Sequence, residues 1–341
     1  MDQVSCRVVA ADDGSLPGDQ AAQQALLEEW TTYDLDHYYA HVAELTFAAR
    51  FFPINTKHLL HILTRDELNA DEEKSRDELV QDLTDVLASE QMGGRGFVKL
   101  STRSPKDAVD HLSSTLDLLQ TEIAGLLNHV EAPTAQQLII AQQQAFFNAM
   151  CVQSGEQAIE LLAKSGRVVS DLVRWCALLP ERSIRVVVRP FVMIPPWAEF
   201  RCFVYERQLT AVTQYVSHLY FPDELVAHEQ DLSRQLQIFA ARVISKLPEK
   251  TCRSFILDAA LWDSHEWLIE LNPFGPLTGA GLFDWEKDSA QLHGKEPFTL
   301  RLRREPANVR LESRICDEIL ADLGAIGSID EQFEKSARNV G

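Results

Sequence analysis

The sequence predicts an α+β fold in which helices pack against an antiparallel sheet. Two apolar runs, Phe200–Tyr205 and Leu209–Gln214, have the length and spacing of an antiparallel pair. They are followed by Leu225–Leu247, whose apolar residues recur at the spacing of an amphipathic helix. Because most predicted strands gather in one part of the chain, roughly 150–290, the pattern favours α+β over a doubly wound sheet.

Composition and charge narrow the class of protein. The chain has 341 residues, 45% of them hydrophobic, and a formal net charge of −19. Such an acidic chain is not expected to bind nucleic acid non-specifically, because that binding depends on Lys and Arg neutralising phosphates. The six cysteines are scattered without a CxxC pair, and no segment approaches the roughly 20 apolar residues that span a bilayer. We therefore expect a cytoplasmic protein that contacts neither nucleic acid directly nor a membrane.

The chain is predicted to have four parts. Residues 1–24 contain few large apolar side chains and predict a flexible tail. Residues 25–115 predict a smaller N-terminal α/β domain, and residues 116–295 predict the antiparallel sheet domain with its helices. Residues 296–341 predict a C-terminal helical segment. The length of the chain is compatible with this division, since domains commonly contain 100 to 200 residues.

Local patterns predict the elements in order along the chain. Phe51–Ile54 is a short apolar run that contains a proline, as expected of a strand at a sheet edge. Leucines four residues apart predict an amphipathic helix over Glu72–Gln91, and Gly93–Gly96 predicts a turn that leads into a strand at Phe97–Leu100. Further helices are predicted over Thr56–Leu68, 116–150 and Glu156–Ala163, with one opening at Ser104–Asp107, and further strands over Val186–Phe191, Phe255–Leu261 and Trp267–Leu271.

The segment from Asp258 to Asn272 carries acids inside apolar strands. If Ser264 is the centre of the turn that joins these strands, Asp258 lies opposite Glu270, and strand alternation puts Glu270 and Asn272 on one face. Two opposed carboxylates repel each other unless a cation neutralises them or one keeps its proton. Together with an amide oxygen they are hard ligands, suited to Mg²⁺ shared with phosphates. The alternative is a solvated hairpin face with incidental acids.

Three basic residues also lie in apolar strand segments. They are Lys99, Arg189 and Arg201. A buried cation needs a carboxylate or a bound phosphate as its partner. Each can be explained by a structural salt bridge, such as one between Glu199 and Arg201, whereas together with an acidic metal face they suggest a triphosphate clamp. The glycines of Gly93–Gly96 lack the P-loop spacing and predict a turn.

Several segments resemble the cell-division-cycle protein 123 family, whose members have an ATP-grasp fold. The resemblance covers roughly 45–290, and its most specific parts are Glu199–Val204 and Asn272–Gly275 with Leu282–Glu286. It implies an ATP-grasp-like α+β fold in which the N-terminal α/β part contributes the first strand that faces the nucleotide. The other matching segments are Phe97–Leu100 with Ser104–Ala108, Leu161–Ser165, Val187–Phe191, Thr213–Gln214, Asp258 and Trp267–Leu271.

The resemblance also implies ATP and Mg²⁺ as cofactors. By position, it implies a phosphate contact for Lys99 and places Arg189 and Arg201 on sheet positions that face the nucleotide. The Mg²⁺ positions that it implies are Asp258, Glu270 and Asn272. The matching segments also place Lys164, Ser165, Val187 and Gln214 among the residues expected around the nucleotide. No catalytic residue is assigned.

The chain departs from the family pattern at four positions. Glu270 replaces an aspartate and should still coordinate a metal. Thr102 replaces a tryptophan, Tyr215 replaces a basic residue, and Arg185 stands where an acidic residue is common. Residues 295–341 match poorly. We therefore expect a divergent member of the family, with nucleotide binding better supported than the identity of a partner.

Two functions of different classes follow from these residues. The first is an ATP- and Mg²⁺-binding assembly chaperone, because members of this family act in the cytoplasm as assembly factors for translation initiation factor 2 and bind its gamma subunit. The second is an ATP-grasp carboxylate–amine ligase that acts through an acyl phosphate. A protein that holds ATP only for structure is a third reading. We expect a monomer that binds ATP and a protein client, with slow or no turnover.

Overall fold

The structure is a computed structural model that describes residues 18–64, 67–130, 133–250 and 252–306. These residues form a four-stranded and a five-stranded β-sheet with helices packed around them. Most neighbouring strands in both sheets are antiparallel. The predicted α+β class is therefore confirmed.

The first sheet joins strands that are far apart in the sequence. Its strands are β1 (Arg50–Asn55), β2 (Gly96–Leu100), β3 (Cys151–Val152) and β4 (Ser183–Pro190), in the order β1-β4-β2-β3. The sequence places the strand at Val186–Phe191 in the sheet of residues 150–290, and this placement is wrong, because β4 pairs with β1 and β2. Val186, Val187 and Val188 are all fully buried. A strand buried on both faces gives no pattern that identifies its partners.

The helices largely follow the predicted apolar spacing. The predicted helix over 116–150 is two helices, because Pro133 precedes a new start where Thr134 caps the backbone of Gln137. The predicted tail 1–24 is wrong from Gln20 onward, where α1 begins, and residues 1–17 lie outside the described residues. None of the described helices is long and apolar enough to cross a membrane. The helices are α1 (Gln20–Trp30), α2 (Leu35–Val42), α3 (Thr56–Thr64), α4 (Ala70–Ala88), α5 (Ser114–Leu127), α6 (Ala135–Ala149), α7 (Gly155–Lys164), α8 (Gly166–Leu178), α9 (Glu229–Lys246) and α10 (Ser289–Leu292).

The second sheet is built from two hairpins and a short C-terminal strand. Its strands are β5 (Glu199–Tyr205), β6 (Gln208–Gln214), β7 (Phe255–Trp262), β8 (His265–Pro273) and β9 (Thr299–Arg301), in the order β8-β7-β5-β6-β9. β9 runs parallel to β6. The helical prediction for 296–341 is therefore wrong over β9, and residues 307–341 lie outside the described residues.

The β7–β8 hairpin has the predicted pairing but not the predicted turn. Asp258 lies opposite Glu270, as expected. The turn is formed by Asp263 and Ser264, with φ values of 52° and 60°, so its centre lies between them rather than at Ser264. This turn alone would shift the pairing by one residue. A β-bulge that leaves Ile269 without a cross-strand partner restores the predicted register.

The second sheet has two faces that differ in chemistry. One face, here called the core face, carries Phe200, Cys202 and Leu257 into a core that also contains Val187 of the first sheet. The opposite face, here called the site face, carries Arg201 and its cross-strand partner on β7. Part of the site face is apolar and packs against the segment after β8. The rest of it carries charged side chains, and these form the candidate site.

Candidate functional site

A cleft opens at the charged part of the site face. It has a volume of about 270 Å³ and is partly open to solvent. The second sheet contributes Arg201, Glu270 and Asn272, the segment after β2 contributes Arg103, and α8 contributes Trp175. The cleft therefore lies where the second sheet meets α8 and the chain that leaves the first sheet.

Arg201 and Asp258 form the centre of the charged group. They are cross-strand neighbours on β5 and β7. Arg201 Nε donates to Asp258 Oδ1 at 2.9 Å, and Arg201 Nη2 donates to Oδ2 at 2.7 Å. Asn272 Nδ2 donates to the same Oδ2 at 3.1 Å, and the Asp258 side chain is fully buried. The proposed salt bridge between Glu199 and Arg201 is wrong, because the facing position on the neighbouring strand is Asp258.

Glu270 joins the first sheet to the second. Lys99, buried on β2, donates to Glu270 Oε2 at 2.9 Å. Burial alone would raise the pKa of Glu270, but Lys99, Lys106 and Arg201 together hold it well below its usual range. Glu270 is therefore ionised at neutral pH and available as an oxygen ligand.

The segment after β8 closes one side of the cleft. Arg201 Nη1 donates to the carbonyl of Gly279 at 2.6 Å, and this residue lines the cleft. Gly281 has a φ of 64°, and a Cβ there would lie 2.6 Å from Thr213 Cγ2 on β6. Only glycine fits this conformation and this approach. The sequence after β8 is thus adapted to lie directly on the site face.

Two further titratable residues and a tyrosine complete the group. Lys106 Nζ lies 3.1 Å from Tyr215 Oη and 4.9 Å from the centre of its ring. The Arg201 guanidinium lies 4.8 Å from the same ring centre. Glu199, at the start of β5, is half-buried, and this burial raises its pKa to about 7 although Lys106 opposes the shift.

Charge at this end of the site face is balanced. Lys99, Lys106 and Arg201 offset Glu199, Asp258 and Glu270. The cleft wall adds three further cations, Arg103, Arg167 and Arg174, and two acids, Asp34 and Asp171. In a chain with a net charge of −19, a cleft with surplus positive charge favours an anionic ligand.

Arg189 and Val187 lie between the two sheets and do not line the cleft. Arg189 Nη1 donates to the carbonyl of Ile269, the bulged residue of β8, at 2.9 Å. Its Nη2 donates to Thr46 Oγ1 at 2.6 Å and to the Phe47 carbonyl at 3.0 Å. Arg189 therefore bonds neutral oxygens and fastens β8 to the first sheet, while Val187 packs in the shared core.

Gln214 lies on the core face, away from the charged group. It pairs with Phe200, and its Nε2 donates to the carbonyls of Val216 and Leu219 at 2.8 and 2.7 Å. Its Oε1 accepts from Arg303 N at 2.8 Å. These three bonds use the amide to hold backbone rather than to face the cleft.

Lys164 and Ser165 lie at the junction of α7 and α8 and do not line the cleft. Lys164 is exposed. Ser165 is buried, accepts from Val168 N as the N-cap of α8, and donates to Asp107 Oδ1 at 2.6 Å. The structure thus gathers five predicted residues in one bonded group, in which Arg201, Glu270 and Asn272 line the cleft and Lys99 and Asp258 are buried behind them. Lys164, Ser165, Val187, Arg189 and Gln214 belong to neither the group nor the cleft lining.

Sequence reasoning missed the part of the site that depends on the fold. Lys106 lies in a segment whose pattern predicts only the start of a helix, and it reaches Tyr215 across 109 positions of sequence. Arg185, where the family pattern has an acid, lies 3.5 Å from Asp36. Asp36 lies on α2 and Arg185 on β4, so this ion pair joins two elements that no local sequence pattern connects.

Comparison with known proteins identifies the family of the chain. A family model described as D123 matches residues 63–318. The chain belongs to the D123 family. It is 34% identical over 112 residues to the "Translation initiation factor eIF2 assembly protein" of Danio rerio, an alignment that covers 32% of this chain and 30% of that protein. It is 26% identical over 255 residues to "Cell division cycle protein 123" of Aspergillus terreus, which covers 72% of this chain and 55% of that protein.

The D123 chain also resembles solved structures. Cdc123 from Schizosaccharomyces pombe superposes with a TM-score of 0.59 at 19% identity, over 80% of this chain and 96% of that chain. A C-terminally truncated form of the same protein gives a TM-score of 0.62, over 82% and 98%. The predicted ATP-grasp-like α+β fold is therefore confirmed. The matched segments span about a third to about half of the curated relatives' own lengths.

Proposed function

We propose that this D123-family protein binds ATP with Mg²⁺ in the cleft and acts as an assembly factor for translation initiation factor 2. The observation that supports nucleotide binding most is the charged group of the site face. Two carboxylates and an amide lie beside a lysine from the other sheet and an arginine from the neighbouring strand.

The donors fit a magnesium ion. Asp258 and Glu270 are cross-strand neighbours, and the amide of Asn272 already contacts Asp258. Mg²⁺ takes oxygen ligands and is commonly held by one or two carboxylates together with substrate phosphates. Arg201 and Lys99 balance the two carboxylates. When bound, the metal would neutralise phosphate charge, and Asp258, Glu270 and Asn272 would hold it.

The surrounding charges fit a polyphosphate. ATP with one Mg²⁺ carries about two negative charges, which the balanced group can accept only if further cations lie nearby. Arg103, Arg167 and Arg174 line the same cleft. Trp30, Tyr33 and Trp175 also line it and offer apolar surface for a base. The cleft thus combines a positively charged surface for the phosphates with an aromatic surface for the base.

The partner is proposed from relatives rather than from the cleft. Several relatives are named eIF2 assembly proteins, and the family resemblance implies that the client is the gamma subunit of this factor. In this proposal, the protein acts in the cytoplasm as a monomer and hydrolyses ATP slowly or not at all. It binds its client in an ATP-dependent manner.

One observation favours the second function, a carboxylate–amine ligase. Such an enzyme needs basic residues near the phosphates for its second substrate, and Arg103, Arg167 and Arg174 line the cleft where that substrate would bind. Steady-state ATP hydrolysis, measured with and without cell extract as a source of acceptors, separates the two. Turnover near or above about 1 s⁻¹ that Glu270→Gln abolishes supports the ligase, and slower turnover supports the assembly factor.

Calorimetry tests the nucleotide site. The wild-type protein should bind ATP in Mg²⁺ and lose that binding in EDTA or in the Asp258→Asn variant. Glu266→Gln is the matched control, because Glu266 lies on the same hairpin but pairs with Arg242 outside the cleft. Equal affinity with and without Mg²⁺ would contradict the metal assignment.

A binding assay tests the client. Purified gamma subunit should be retained by the immobilised protein more strongly with Mg-ATP than without it, and Lys99→Ala should remove the difference. Retention that does not depend on Mg-ATP would separate the client function from the cleft. Absence of retention in every condition would contradict the proposed client.

A further inference from the structure

Lys106 differs from the two other cations at the charged part of the site face. Lys99 bonds Glu270 at 2.9 Å, and Arg201 bonds both oxygens of Asp258. Lys106 lines the cleft, and within the described residues it forms no ion pair with a carboxylate. Its positive charge is therefore the one of the three that is not already committed to a carboxylate.

Tyr215 holds this lysine in place. Its hydroxyl lies 3.1 Å from Lys106 Nζ, and its ring centre lies within 5 Å of both the Lys106 ammonium, at 4.9 Å, and the Arg201 guanidinium, at 4.8 Å. An aromatic ring attracts cations and so tolerates two of them at its surface. Tyr215 thus positions two positive charges beside the cleft, although it carries none itself.

The backbone of Lys106 is also fixed. Its neighbour Asp107 accepts from Ser165 Oγ at 2.6 Å and from Arg167 N at 3.0 Å. Both donors lie at the start of α8, so the short helical turn that carries Lys106 is fastened to the cleft wall. A side chain whose backbone and head group are both held loses little freedom when it meets a ligand.

The surroundings of Lys106 keep it charged. Burial opposes the charged form, but Tyr215, Glu199 and Glu270 together hold the pKa of Lys106 above its ordinary value. Neither of these glutamates is bonded to it, so the attraction acts through space. A charged lysine kept in a cleft without a carboxylate partner is adapted to receive an anion from outside the chain.

We infer that Lys106, held by Tyr215 beside Arg201, binds a terminal phosphate in this cleft and makes it prefer a nucleoside triphosphate to a monophosphate. The inference rests on the proposed ATP site and identifies a residue that sequence reasoning left out of it. Tyr215, where the family pattern has a basic residue, is then a support for a cation supplied by another segment.

The test compares phosphate chain lengths. Dissociation constants for ATP, ADP, AMP and inorganic tripolyphosphate, each with Mg²⁺, are measured by calorimetry for the wild type and for Lys106→Met. The variant should bind ATP and tripolyphosphate about 10- to 100-fold more weakly, the range for a lost charge-assisted bond, and AMP almost unchanged. Lys57→Met, an exposed lysine on α3 that does not line the cleft, is the matched control and should bind as the wild type.

Two variants of Tyr215 examine the support itself. Tyr215→Phe keeps the ring and removes the hydroxyl, so it should lose ATP affinity by only about threefold. The double variant Lys106→Met with Tyr215→Arg returns a cation to the same place and should recover part of the loss. The thermal midpoint of the ligand-free Lys106→Met protein should fall only slightly, because Lys106 bonds no carboxylate and the attraction of Glu199 and Glu270 acts through space.

The outcomes separate this inference from the proposed function. If the wild type binds ATP and Lys106→Met keeps the same preference for ATP over AMP, the inference is overturned and the ATP site stands. If the wild type binds tripolyphosphate but not ATP, and Lys106→Met loses that binding, Lys106 is a phosphate residue and the nucleotide proposal falls. If the wild type binds neither, or if Lys106→Met melts at a markedly lower temperature without ligand, the inference is overturned.

Discussion

The two faces of the second sheet use the same strands for different purposes. On the core face, Phe200, Cys202 and Leu257 pack against the first sheet and α9. On the site face, their immediate neighbours Arg201 and Asp258 form a buried ion pair. Because strand neighbours point to opposite sides, one residue along the chain separates a position that stabilises the fold from one that can bind a ligand.

The comparison teaches that a buried charge in this fold has two different explanations. Arg189 and Arg201 both interrupt apolar strands. Arg189 lies between the sheets and bonds the Thr46 hydroxyl and two backbone carbonyls. Arg201 lies in the cleft and bonds a carboxylate. The first holds elements together, whereas the second pairs with a carboxylate that we propose as a metal ligand, and mutations on the two faces should separate these roles.

The largest effect is expected for Asp258→Ala on the site face. The change leaves Arg201 buried without its carboxylate, which typically costs about 3 to 5 kcal/mol of the free energy of unfolding. It should also remove Mg-dependent ATP binding. Urea denaturation and ATP calorimetry measure the two losses. A double-mutant cycle with Arg201→Met should return part of the stability but none of the binding.

Phe200→Ala on the core face should cost a similar amount of stability and nothing else. Its side chain is fully buried, and truncating a core phenylalanine typically costs about 3 to 5 kcal/mol. Below its lowered melting temperature, the variant should bind Mg-ATP with the wild-type dissociation constant. A large change in ATP affinity in the folded variant would show that the two faces are not independent.

The pairing of the acids could be predicted from the sequence, but the bulges could not. Asp258 faces Glu270 because the bulge at Ile269 compensates for the turn at Asp263 and Ser264. In the β5–β6 hairpin the register shifts between Phe203 and Val204, so Gln214 pairs with Phe200. Without that shift the two-residue turn would pair Gln214 with Glu199 and put its side chain on the site face. Counting strand positions thus predicts the correct pairing of Asp258 with Glu270 in the β7–β8 hairpin. In the β5–β6 hairpin it predicts the wrong face for Gln214.

Contacts between segments that are far apart in the chain are the other part of the site that could not be predicted from the sequence. The apolar runs and the family motifs are local and identify Lys99, Arg201, Asp258, Glu270 and Asn272. The Lys106–Tyr215 contact and the arginines of the cleft wall depend on how α8 and the turn after β2 pack on the second sheet. No spacing rule connects these segments.

Glu199→Gln is expected to change stability with pH. Burial is the main reason that the pKa of Glu199 rises to about 7. Between its ordinary pKa and about 7 the folded state keeps a proton that the unfolded state releases, so stability falls as pH rises and the full cost is present above pH 7. The variant removes this cost of at most about 3 kcal/mol. Its thermal midpoint should exceed that of the ligand-free wild type at pH 8, and the difference should vanish towards pH 4.5.

The smallest effect is expected for Gln214→Ala. It leaves the Val216 and Leu219 carbonyls and the Arg303 amide without the partner that now satisfies them. Of the three bonds only the one to Leu219 is buried, and leaving one buried backbone group unsatisfied typically costs about 1 to 3 kcal/mol. ATP affinity should stay at the wild-type value, because the side chain lies on the core face. A weakened ATP affinity in calorimetry would instead support the nucleotide contact that the family resemblance implies.

The central claim, that the site face binds ATP through a divalent metal, is tested most directly by anomalous diffraction. Crystals of the protein grown with Mn²⁺ and a non-hydrolysable ATP analogue show the position of the metal independently of the nucleotide. Our account predicts an anomalous peak coordinated by oxygens of Asp258, Glu270 and Asn272, with the phosphates in the cleft and Lys99 directed towards them. A peak at other ligands, or a nucleotide bound while Arg201–Asp258 and Lys99–Glu270 remain paired without a metal, would contradict it.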